Sequence, residues 1–563
     1  MKVIIVGGVA GGATAAARIR RLDEHAEITV FERSGYISYA NCGLPYYIGD
    51  VITDPEELTL QTPESFFKRF RINMKIHHEV ISIHPERKTV SVKNLENGEI
   101  FEENYDKLIL SPGAKPTQPR LPGVGMDKLF TLRTVEDTFR IKEYINKNHP
   151  KSAVLAGGGF IGLELAENLR ELGMDVTIVQ RPKQLMNPFD PDMASMIHNE
   201  MRKHGIKLVL GYTVEGFKEK DDGVEVLLKD NPSLQADMVV LAIGVTPDTV
   251  LAKEAGLELG IKESIVVNDR METSVPDIYA AGDAVQVKHY VTGNDALISL
   301  AGPANKQGRI IADNICGGDS RYLGSQGSSV IKVFDMTATT TGINETNAKK
   351  SGLEVDTVIL SPMSHAGYYP GGKVMTMKVV FEKETYRLLG AQIIGYEGVD
   401  KRIDVLATAI HAGLKATQLK DLDLAYAPPY SSAKDPVNMA GFMIDNIAKG
   451  TLKQWHLEDM DKISKDKSVV LLDVRTVGEF NRGHMDGFRN IPVDELRERI
   501  NEIEKGKPVY LICQSGLRSY IASRILEGNG YETYNFSGGF RFYDAVVNDR
   551  ALIERAYACG MDY

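Results

Sequence analysis

The chain has 563 residues, of which 43% are hydrophobic and 25% charged, and its formal net charge is −10. This length predicts about three to five domains, and the acidic balance argues against a nucleic-acid-binding protein, which usually carries a basic excess. The apolar runs are too short for a membrane span or a signal peptide, and four cysteines do not make a disulfide framework in a chain of this length. We therefore expect a cytoplasmic protein with reduced thiols and with no nucleic-acid or membrane partner.

The beginning of the chain predicts a β–α–β unit that binds a dinucleotide. An apolar strand at 3–6 leads through glycines into an Ala-rich helix that ends near Leu22, and a second strand spans 28–32. Val9 occupies the middle glycine position of the Gly-x-Gly-x-x-Gly fingerprint, but Glu32 stands twenty residues after Gly12, as that fingerprint requires. A pyrophosphate would lie at the helix N-terminus, and Glu32 would accept a hydrogen bond from a ribose hydroxyl.

A single cysteine, Cys42, follows this unit in the stretch 38–46. Without a second cysteine nearby it cannot close an internal disulfide at this site. It can hold a mixed disulfide with a substrate thiol, a persulfide or a sulfenic acid. Gly43 and Pro45 predict a turn into a helix, whose N-terminus would stabilise the Cys42 thiolate.

A second dinucleotide unit begins near residue 152. Strands at 152–155 and 175–179 flank a helix that ends near Leu172, and the loop 157–162 satisfies the full glycine fingerprint. Gln180 and Arg181 stand where an acidic residue would favour the unphosphorylated cofactor. An amide can still bind ribose and Arg181 can meet a 2′-phosphate, so NADH is weakly preferred and NADPH stays open. Two dinucleotide sites predict a flavin paired with a nicotinamide.

Three later regions complete the predicted organisation. Residues 273–284 end a strand at Gly282 and Asp283, where a carboxylate can bind the ribityl chain of a flavin. The β-branched region 330–395 predicts an antiparallel sheet, followed by helices near 400–412 and 435–448. After Gly450 a compact α/β module begins, with strands at 467–475 and 509–513.

In this last module Cys513 ends a strand, and the loop after it can turn its N–H groups inward. Such a loop, together with Arg518 and the following helix, would stabilise a thiolate or a bound persulfide. The runs 472–475, 483–487 and 512–519 resemble rhodanese domains, and because the cysteine is present we expect sulfur transfer. Cys316 and Cys559 lack a comparable context and are interpreted as structural.

The segments 7–12, 38–45, 157–162 and 273–283 together resemble the single-cysteine flavoprotein disulfide reductases. Within them the chain is similar to the coenzyme A disulfide reductases, including the fused forms also known as NADH-dependent persulfide reductases. The resemblance implies an α/β fold with two Rossmann-like dinucleotide-binding domains, an α+β dimerisation domain and a C-terminal rhodanese-like α/β domain. We assign 1–112 and 245–325 to the FAD-binding domain, 113–244 to the NAD(P)H-binding domain, 326–449 to the dimerisation domain, 450–456 to a linker and 457–563 to the rhodanese-like domain.

The resemblance also implies binding residues. For FAD they are Gly7, Gly8, Ala10, Gly11, Gly12, Glu32, Arg33, Ser111, Gly113, Gly282, Asp283 and Ala301. For NAD(P)H they are Gly157, Gly159, Phe160, Ile161, Gly162, Glu164, Gln180 and Arg181. For coenzyme A, as substrate or tightly bound ligand, they are Arg18, Arg21, Ser38, Asn41 and Lys306.

The segments 364–371 and 424–436 look like the tyrosine-bearing loops of this family. By that resemblance Tyr368, or its neighbour Tyr369, and Tyr426 of one subunit would reach Cys42 of the other, which implies a homodimer. Tyrosines that simply pack the dimer remain the alternative. The related peroxidases rely on a histidine early in the chain, and the stretch 10–18 has none, which counts against peroxide chemistry.

The predicted catalytic residues are thus Cys42, Cys513, Tyr368, Tyr426 and Arg518, and no metal is expected. The predicted function is NAD(P)H-driven, FAD-dependent reduction of CoA disulfide or of low-molecular-weight persulfides, coupled to sulfur transfer at Cys513. One alternative is an NADH oxidase or polysulfide reductase on the same fold. Another is a redox sensor or sulfur carrier whose rhodanese unit docks a partner.

Overall fold

A computed structural model describes residues 1–220 and 223–558. The chain divides into two compact units, Met1–Lys183 with Gly205–Gly327, and Gln184–His204 with Ser328–Tyr563. The segment 184–204 therefore belongs to the second unit, although it lies within the range 113–244 that was predicted to form one domain. Cys559 lies outside the described residues.

The first unit begins with elements that surround a parallel sheet. In chain order they are β1 (Lys2–Val6), α1 (Ala10–Leu22), β2 (Glu27–Phe31), β3 (Ile37–Tyr39), α2 (Leu44–Ile48), β4 (Thr59–Gln61), α3 (Pro63–Phe70), β5 (Asn73–Lys75), β6 (His78–His84), β7 (Thr89–Asn94), β8 (Ile100–Asn104), β9 (Lys107–Leu110), β10 (Ala114–Pro116), β11 (Leu129–Thr131) and α4 (Val135–Asn148). Helix α4 starts at a capping box in which the Thr134 and Asp137 side chains satisfy each other's backbone N–H groups.

The chain then forms the second dinucleotide unit and returns to the first. These elements are β12 (Ser152–Ala156), α5 (Phe160–Glu171), β13 (Asp175–Gln180), α6 (Pro191–Lys203, in the second unit), β14 (Lys207–Leu210), β15 (Val214–Lys220), β16 (Gly223–Leu228), β17 (Asn231–Ala236), β18 (Met238–Leu241), β19 (Val245–Pro247), α7 (Val250–Glu254), β20 (Ile278–Ala280), β21 (Val287–Lys288), β22 (Asp295–Ala296) and α8 (Ala301–Ile315).

Two five-stranded sheets form the core of the first unit. Their orders are β20-β9-β1-β2-β5 and β11-β18-β12-β13-β14, and all their pairings are parallel. The central strands are buried along nearly their whole length, as expected for parallel strands covered on both faces. Because β1 and β12 both lie inside their sheets, the loops that follow them open at the carboxyl ends of the strands, where nucleotides bind in such folds.

The second unit contains an antiparallel sheet with the order β23-β24-β27-β26-β25, as predicted for 330–395. Its elements are β23 (Ser329–Val333), β24 (Met336–Gly342), α9 (Glu345–Lys350), β25 (Val355–Leu360), β26 (Met375–Glu382), β27 (Leu388–Gly395), α10 (Val399–His411) and α11 (Pro436–Ala448).

The C-terminal module has a parallel sheet with the order β28-β32-β31-β29-β30. Its elements are β28 (Gln454–Trp455), α12 (Met460–Ile463), β29 (Val470–Asp473), α13 (Val477–Arg482), β30 (Arg489–Asn490), β31 (Val509–Ile512), α14 (Leu517–Glu527), β32 (Thr533–Phe536) and α15 (Gly539–Ala558). Gln454 and Trp455 pair with Asn535 and Phe536, so the sheet already begins inside the predicted linker 450–456. The linker is shorter than predicted because buried Trp455 belongs to this core.

Helix α15 packs against α6 within the second unit through a buried ion pair. Asp549 Oδ2 lies 2.8 Å from His198 Nδ1, and Asp549 Oδ1 accepts a hydrogen bond from Arg202 Nη1 at 2.5 Å. His198 Nε2 accepts from the Leu185 N–H at 2.9 Å, so its Nδ1 carries the proton that is donated to Asp549. The pKa of Asp549 is lowered, because the hydrogen bonds from His198 and Arg202 and the charge of Arg202 outweigh its desolvation.

Across the described ranges, none of the helices is both long and apolar enough to span a bilayer. The predicted fold class is confirmed: two parallel five-stranded sheets, a further α+β domain and a C-terminal α/β module are present.

Candidate active site

The first glycine loop joins β1 to α1 and is shaped by two glycines. Gly7 has a φ of +95°, and a Cβ on Gly12 would lie 1.9 Å from the Gly7 carbonyl oxygen, so larger residues do not fit. Glu32 Oε2 accepts a hydrogen bond from the Gly8 N–H at 2.9 Å. The Glu32 carboxylate is therefore fixed beside the loop, at the position from which such folds hold a ribose.

The second glycine loop, between β12 and α5, repeats this arrangement. Gly157 has a φ of +118°, and a Cβ on Gly162 would lie 2.1 Å from the Gly157 carbonyl oxygen. Gln180 Oε1 accepts a hydrogen bond from the Gly158 N–H at 3.0 Å. An amide oxygen thus takes the place that the Glu32 carboxylate holds in the first loop.

Both loops have the room and the free donors that a dinucleotide needs. No side chain caps α1 or α5, and neither helix has an acidic residue in its first turn. A Cβ on Gly159 would meet no atom within 4 Å, and Arg181 is exposed beside the loop. Uncapped N–H groups at a helix N-terminus attract phosphate, so the residues present fit a dinucleotide at each loop.

The predicted flavin motif near Gly282 lies against the first loop. The Gly282 N–H donates to Gln307 Oε1 at 2.8 Å, and a Cβ at Gly282 would lie 3.6 Å from Ser111 Oγ. Ser111 Oγ in turn lies 2.8 Å from where a Cβ on Gly11 would stand. Ala301, exposed, begins α8 beside this group, whereas Arg33 is engaged by Asp248 at 2.9 Å.

Arg133 joins the flavin motif to the residue before Cys42, and the sequence analysis missed it. Its Nη2 donates to Asp283 Oδ2 at 2.7 Å, and its Nε donates to the Ala114 carbonyl oxygen at 3.1 Å. With the Asn41 amide flipped, Asn41 donates to the Arg133 carbonyl oxygen at 3.0 Å and accepts from Nη1 at 3.2 Å. No local pattern marks this arginine, because its partners come from distant parts of the chain.

Cys42 lies in a short 3-10 turn, Asn41–Gly43, that leads into α2, and its side chain is exposed. The predicted turn into a helix is present. Partial desolvation raises the pKa of the Cys42 thiol, Glu164 raises it further, and Arg133 lowers it. Helix α2 has only five residues, and the stabilisation of the thiolate by its N-terminus stays a prediction.

Helix α2 is packed closely against α5, which carries Glu164. A Cβ on Gly49 would lie 2.0 Å from Asn168 Oδ1, and Asn168 Nδ2 donates to the Glu164 carbonyl oxygen at 2.7 Å. From the other side, Lys142 Nζ donates to the Ile48 carbonyl oxygen at 3.0 Å. These contacts hold the turn that bears Cys42 in register with the helix of the second glycine loop.

Glu164 is expected to make stability depend on pH. Burial, and then repulsion from Glu167, raise its pKa from 4.5 to about 7. The folded state therefore binds the proton more tightly than the unfolded state, and the free energy of unfolding falls as pH rises through this interval. We expect Glu164→Gln to stabilise the FAD-loaded protein by up to about 3 kcal/mol at pH ~8 and by little at pH ~4.5, because only the charged carboxylate is penalised.

Thermal unfolding of the variant at the two pH values measures this effect. Glu171→Gln is the matched control, because Glu171 lies on the same helix but is exposed. A stabilisation of equal size at both pH values would contradict the assignment.

The predicted coenzyme A residues are not equally available. Arg18 Nε pairs with Asp313 Oδ1 at 2.8 Å, whereas Arg21 on α1 and Lys306 on α8 are exposed. The Ser38 N–H donates to the Gly8 carbonyl oxygen at 2.9 Å, which ties the approach to Cys42 to the first loop. Arg21 and Lys306 are thus the exposed cations of this predicted set.

The two predicted tyrosine loops meet in the second unit. Tyr368 Oη and Tyr426 Oη lie 2.7 Å apart, and the two residues are 76% and 45% exposed. The hydrogen bond to Tyr368 raises the pKa of Tyr426. Of the two neighbours left open by the sequence, Tyr368 makes this pair, and Tyr369 contacts the His365 ring.

Cys513, which is buried, lies in a cradle of hydrogen-bond donors. Its Sγ accepts from the Gly516 N–H at 3.1 Å and from Ser519 Oγ at 3.2 Å. Gly516 has a φ of +99°, which turns the loop inward as predicted. Asn535 Nδ2, on the neighbouring strand β32, donates to the Gly516 carbonyl oxygen at 3.2 Å and so holds the loop in place. The cradle suits an anionic sulfur.

Arg518 follows this loop and forms an ion pair with Glu479. Its Nη1 and Nη2 each donate to Glu479 at 2.7 Å, and this pairing lowers the pKa of Glu479 to about 2. Neither Glu479 nor Ser519 was predicted from the sequence as part of the site.

Within the described ranges, no group of three or more His, Cys, Asp or Glu side chains is arranged to hold a metal ion. Cys316 is half-buried against the core of the first unit, and burial raises its pKa.

Comparison with known families matches most of the chain. Residues 1–308 match the pyridine nucleotide-disulphide oxidoreductase family, residues 328–436 match the dimerisation domain of that family, and residues 456–545 match the rhodanese-like domain.

Individual relatives extend these matches. The chain is 38% identical over 442 residues to the coenzyme A disulfide reductase of Staphylococcus aureus (strain JH9), which covers 78% of this chain and 99% of that protein. It is similar to the crystal structure of reduced CoADR-RHD from Bacillus anthracis, with 48% identity, 98% coverage of both chains and a TM-score of 0.95. It is also similar to a NAD-dependent persulfide reductase from A. fulgidus, with 38% identity, 96% and 100% coverage and a TM-score of 0.90.

Proposed function

Because this chain belongs to the pyridine nucleotide-disulphide oxidoreductase family, we propose that it uses NADH or NADPH and FAD to reduce CoA disulfide or low-molecular-weight persulfides at Cys42. The observation that carries the proposal is the Arg133 network, which links the flavin motif at Asp283 to the residue before Cys42. The family predicted from the motifs is confirmed, and with it an oxidoreductase. We also propose the domain ranges assigned from the sequence, except that the linker ends before Gln454, where the C-terminal sheet begins.

The residues predicted to hold the cofactors lie around the two loops. The first loop with Glu32, Ser111 and Asp283 would hold FAD, and the second loop with Gln180 would hold the nicotinamide dinucleotide. When bound, these groups supply two electrons from NAD(P)H to a sulfur–sulfur bond. The protein contributes the position of that bond, because the contact between Gly49 and Asn168 fixes the turn of Cys42 against α5.

Cys42 would act as the nucleophile. Its thiolate attacks CoA disulfide, so that one CoA thiolate leaves and a mixed disulfide remains on Cys42. Two electrons then break this disulfide and release the second CoA thiol. With a persulfide substrate the same attack on the outer sulfur releases the thiol first and then sulfide. Desolvation raises the pKa of the Cys42 thiol. The thiol therefore holds its proton more tightly than an ordinary cysteine does, and it must lose this proton before it can attack.

The stoichiometry of turnover tests this function. Under anaerobic conditions the FAD-loaded protein should consume one NADH for every two CoA thiols released from CoA disulfide. The two readings are NADH absorbance and thiol titration. NADH oxidation that needs oxygen and releases no thiol would contradict the proposal and support the oxidase alternative.

The match to the dimerisation domain supports a homodimer. We place the pair Tyr368 and Tyr426 beside the Cys42 of the partner subunit, where a tyrosine hydroxyl would protonate the departing thiolate. Light scattering should find a dimer in the FAD-loaded protein. A protein that is monomeric at assay concentration would rule out this role for the tyrosines.

For the C-terminal module we propose sulfur transfer at Cys513. Its support is the donor cradle around Sγ and the rhodanese-like match. A pantetheine arm would carry sulfur between Cys513 and Cys42.

A further inference from the structure

The loop that follows Cys513 carries very little positive charge. Of the residues 513–519, only Arg518 is charged, and Gln514 and Ser515 offer neutral groups next to the cysteine. The groups that touch Sγ are an N–H and a hydroxyl. Any strong attraction for an anionic donor must therefore come from Arg518 or from a cation outside the loop.

Arg518 is already neutralised by a carboxylate that is itself held in place. Both of its Nη atoms donate to Glu479 at 2.7 Å. Glu479 Oε2 also accepts from the Thr476 N–H at 3.0 Å and from Thr476 Oγ1 at 2.8 Å, at the start of α13. A bidentate pair with a fixed carboxylate leaves little of the guanidinium charge for a ligand.

A second arginine behind the loop is balanced in the same way. Arg475 Nη2 donates to Asp473 Oδ2 at 2.7 Å and to the Gly483 carbonyl oxygen at 2.7 Å, and its guanidinium lies 3.8 Å from the centre of the Phe540 ring. It is buried and therefore not free to turn toward a ligand. In contrast, Leu517 in the loop is 66% exposed.

We propose that Glu479 sets the sulfur-donor preference of Cys513: by neutralising Arg518 it selects persulfides of organic thiols over the thiosulfate dianion. This inference rests on the sulfur transfer proposed above. Thiosulfate concentrates two negative charges around its sulfur–sulfur bond and needs an uncompensated cation there, whereas an organic persulfide brings at most one charge to that bond and has an organic group that exposed Leu517 can contact. Glu479 is thus a specificity-determining residue rather than a catalytic one.

Both donors transfer their outer, sulfane sulfur to Cys513, and neither transfer needs an oxidant or a reductant. The Cys513 thiolate attacks the outer sulfur of an organic persulfide, the sulfur–sulfur bond breaks, and the organic thiolate leaves with the bonding electron pair. With thiosulfate the same attack breaks the bond between the two sulfurs, and sulfite leaves. In each case Cys513 becomes a persulfide.

The experiment measures loading of Cys513 by peptide mass spectrometry in the full-length, FAD-loaded protein. A Cys42→Ser background prevents loading of the other cysteine. Inorganic thiosulfate and glutathione persulfide are the two donors, and the quantity compared is the ratio of their loading rates. Glu479→Gln keeps hydrogen-bonding groups for Thr476 but removes the charge, and should raise the thiosulfate-to-persulfide ratio about tenfold. Glu498→Gln, on the exposed surface of the same module, is the matched control and should leave the ratio unchanged.

A second variant keeps the test decisive if Glu479→Gln fails to fold. Gln514→Lys adds a cation to the loop while Glu479 stays in place, and the ratio should again rise. An unchanged ratio in the folded variants overturns the inference, even though Cys513 loads. Absence of loading from both donors in the otherwise unaltered module instead removes the proposed sulfur transfer, and the donor preference with it.

Discussion

Replacing Cys42 by serine is expected to lower kcat for NAD(P)H-driven reduction of CoA disulfide by a factor of roughly 10³ or more. A serine hydroxyl neither attacks the disulfide at neutral pH nor forms a sulfur–sulfur bond that can be reduced. The glycine loops and the Arg133 contacts do not involve the Cys42 side chain, so FAD content should stay the same. Steady-state kinetics together with the visible spectrum measure the two quantities.

Cys316→Ser is the control for this experiment. Cys316 is half-buried against the core of the same unit, far along the chain from both glycine loops, and its variant should keep the wild-type rate. If Cys42→Ser reduces CoA disulfide as fast as wild type, the site described here does not perform the reaction.

Cys513→Ala should abolish sulfur transfer from a persulfide donor, by at least about 10²-fold, while NAD(P)H-driven reduction of CoA disulfide continues. Cys513 is buried at the end of β31 in the second unit, whereas Cys42 and both glycine loops belong to the first. Removing one sulfur atom therefore leaves the reductase residues untouched. Transfer is measured as the thiocyanate formed from added cyanide, which accepts the sulfur from the Cys513 persulfide, and reduction is measured as NADH oxidation with CoA disulfide.

Ser519→Ala tests how much one hydrogen bond to the Cys513 sulfur contributes to transfer. It keeps the Cys513 sulfur and the Gly516 N–H but removes the Oγ donor at 3.2 Å, so we expect a smaller loss, about tenfold. Unchanged transfer in Cys513→Ala would assign the activity to another residue.

The sequence predicts the parts of this protein that depend on neighbouring residues. The loops 7–12 and 157–162 are predictable from local sequence. In each loop a glycine with positive φ is followed five residues later by a glycine at which a Cβ would clash with the first. The alternation and β-branching of 330–395 likewise predict the antiparallel sheet.

Features that depend on distant residues were not predictable in this way. Arg133 pairs with Asp283 and Asn41, which are distant in the chain. Glu479 forms a capping box with Thr476, a pattern that predicts the start of α13 but not the pairing of its carboxylate with Arg518. The place of 184–204 in the second unit was not predicted for the same reason, because the helix pattern of α6 does not reveal which element covers it. Gly43 and Pro45 indicate the start of a helix, but they do not reveal the partial desolvation and the Glu164 carboxylate that raise the pKa of the Cys42 thiol.

The contacts between Asp549 and its partners on α6 show that the C-terminal module, although separate in the sequence, is not independent of the rest of the chain in stability. A chain ending at Gly450 would retain every residue assigned to reduction, yet it would leave His198 without its buried acceptor and Arg202 without its counter-ion. In the shortened chain these hydrogen bonds would be made to water instead, and the face of α6 that α15 now covers would be exposed to solvent. The C-terminal module therefore also stabilises the helix on which it packs, so ending the chain at the linker should lower the free energy of unfolding even though every residue assigned to reduction is still present.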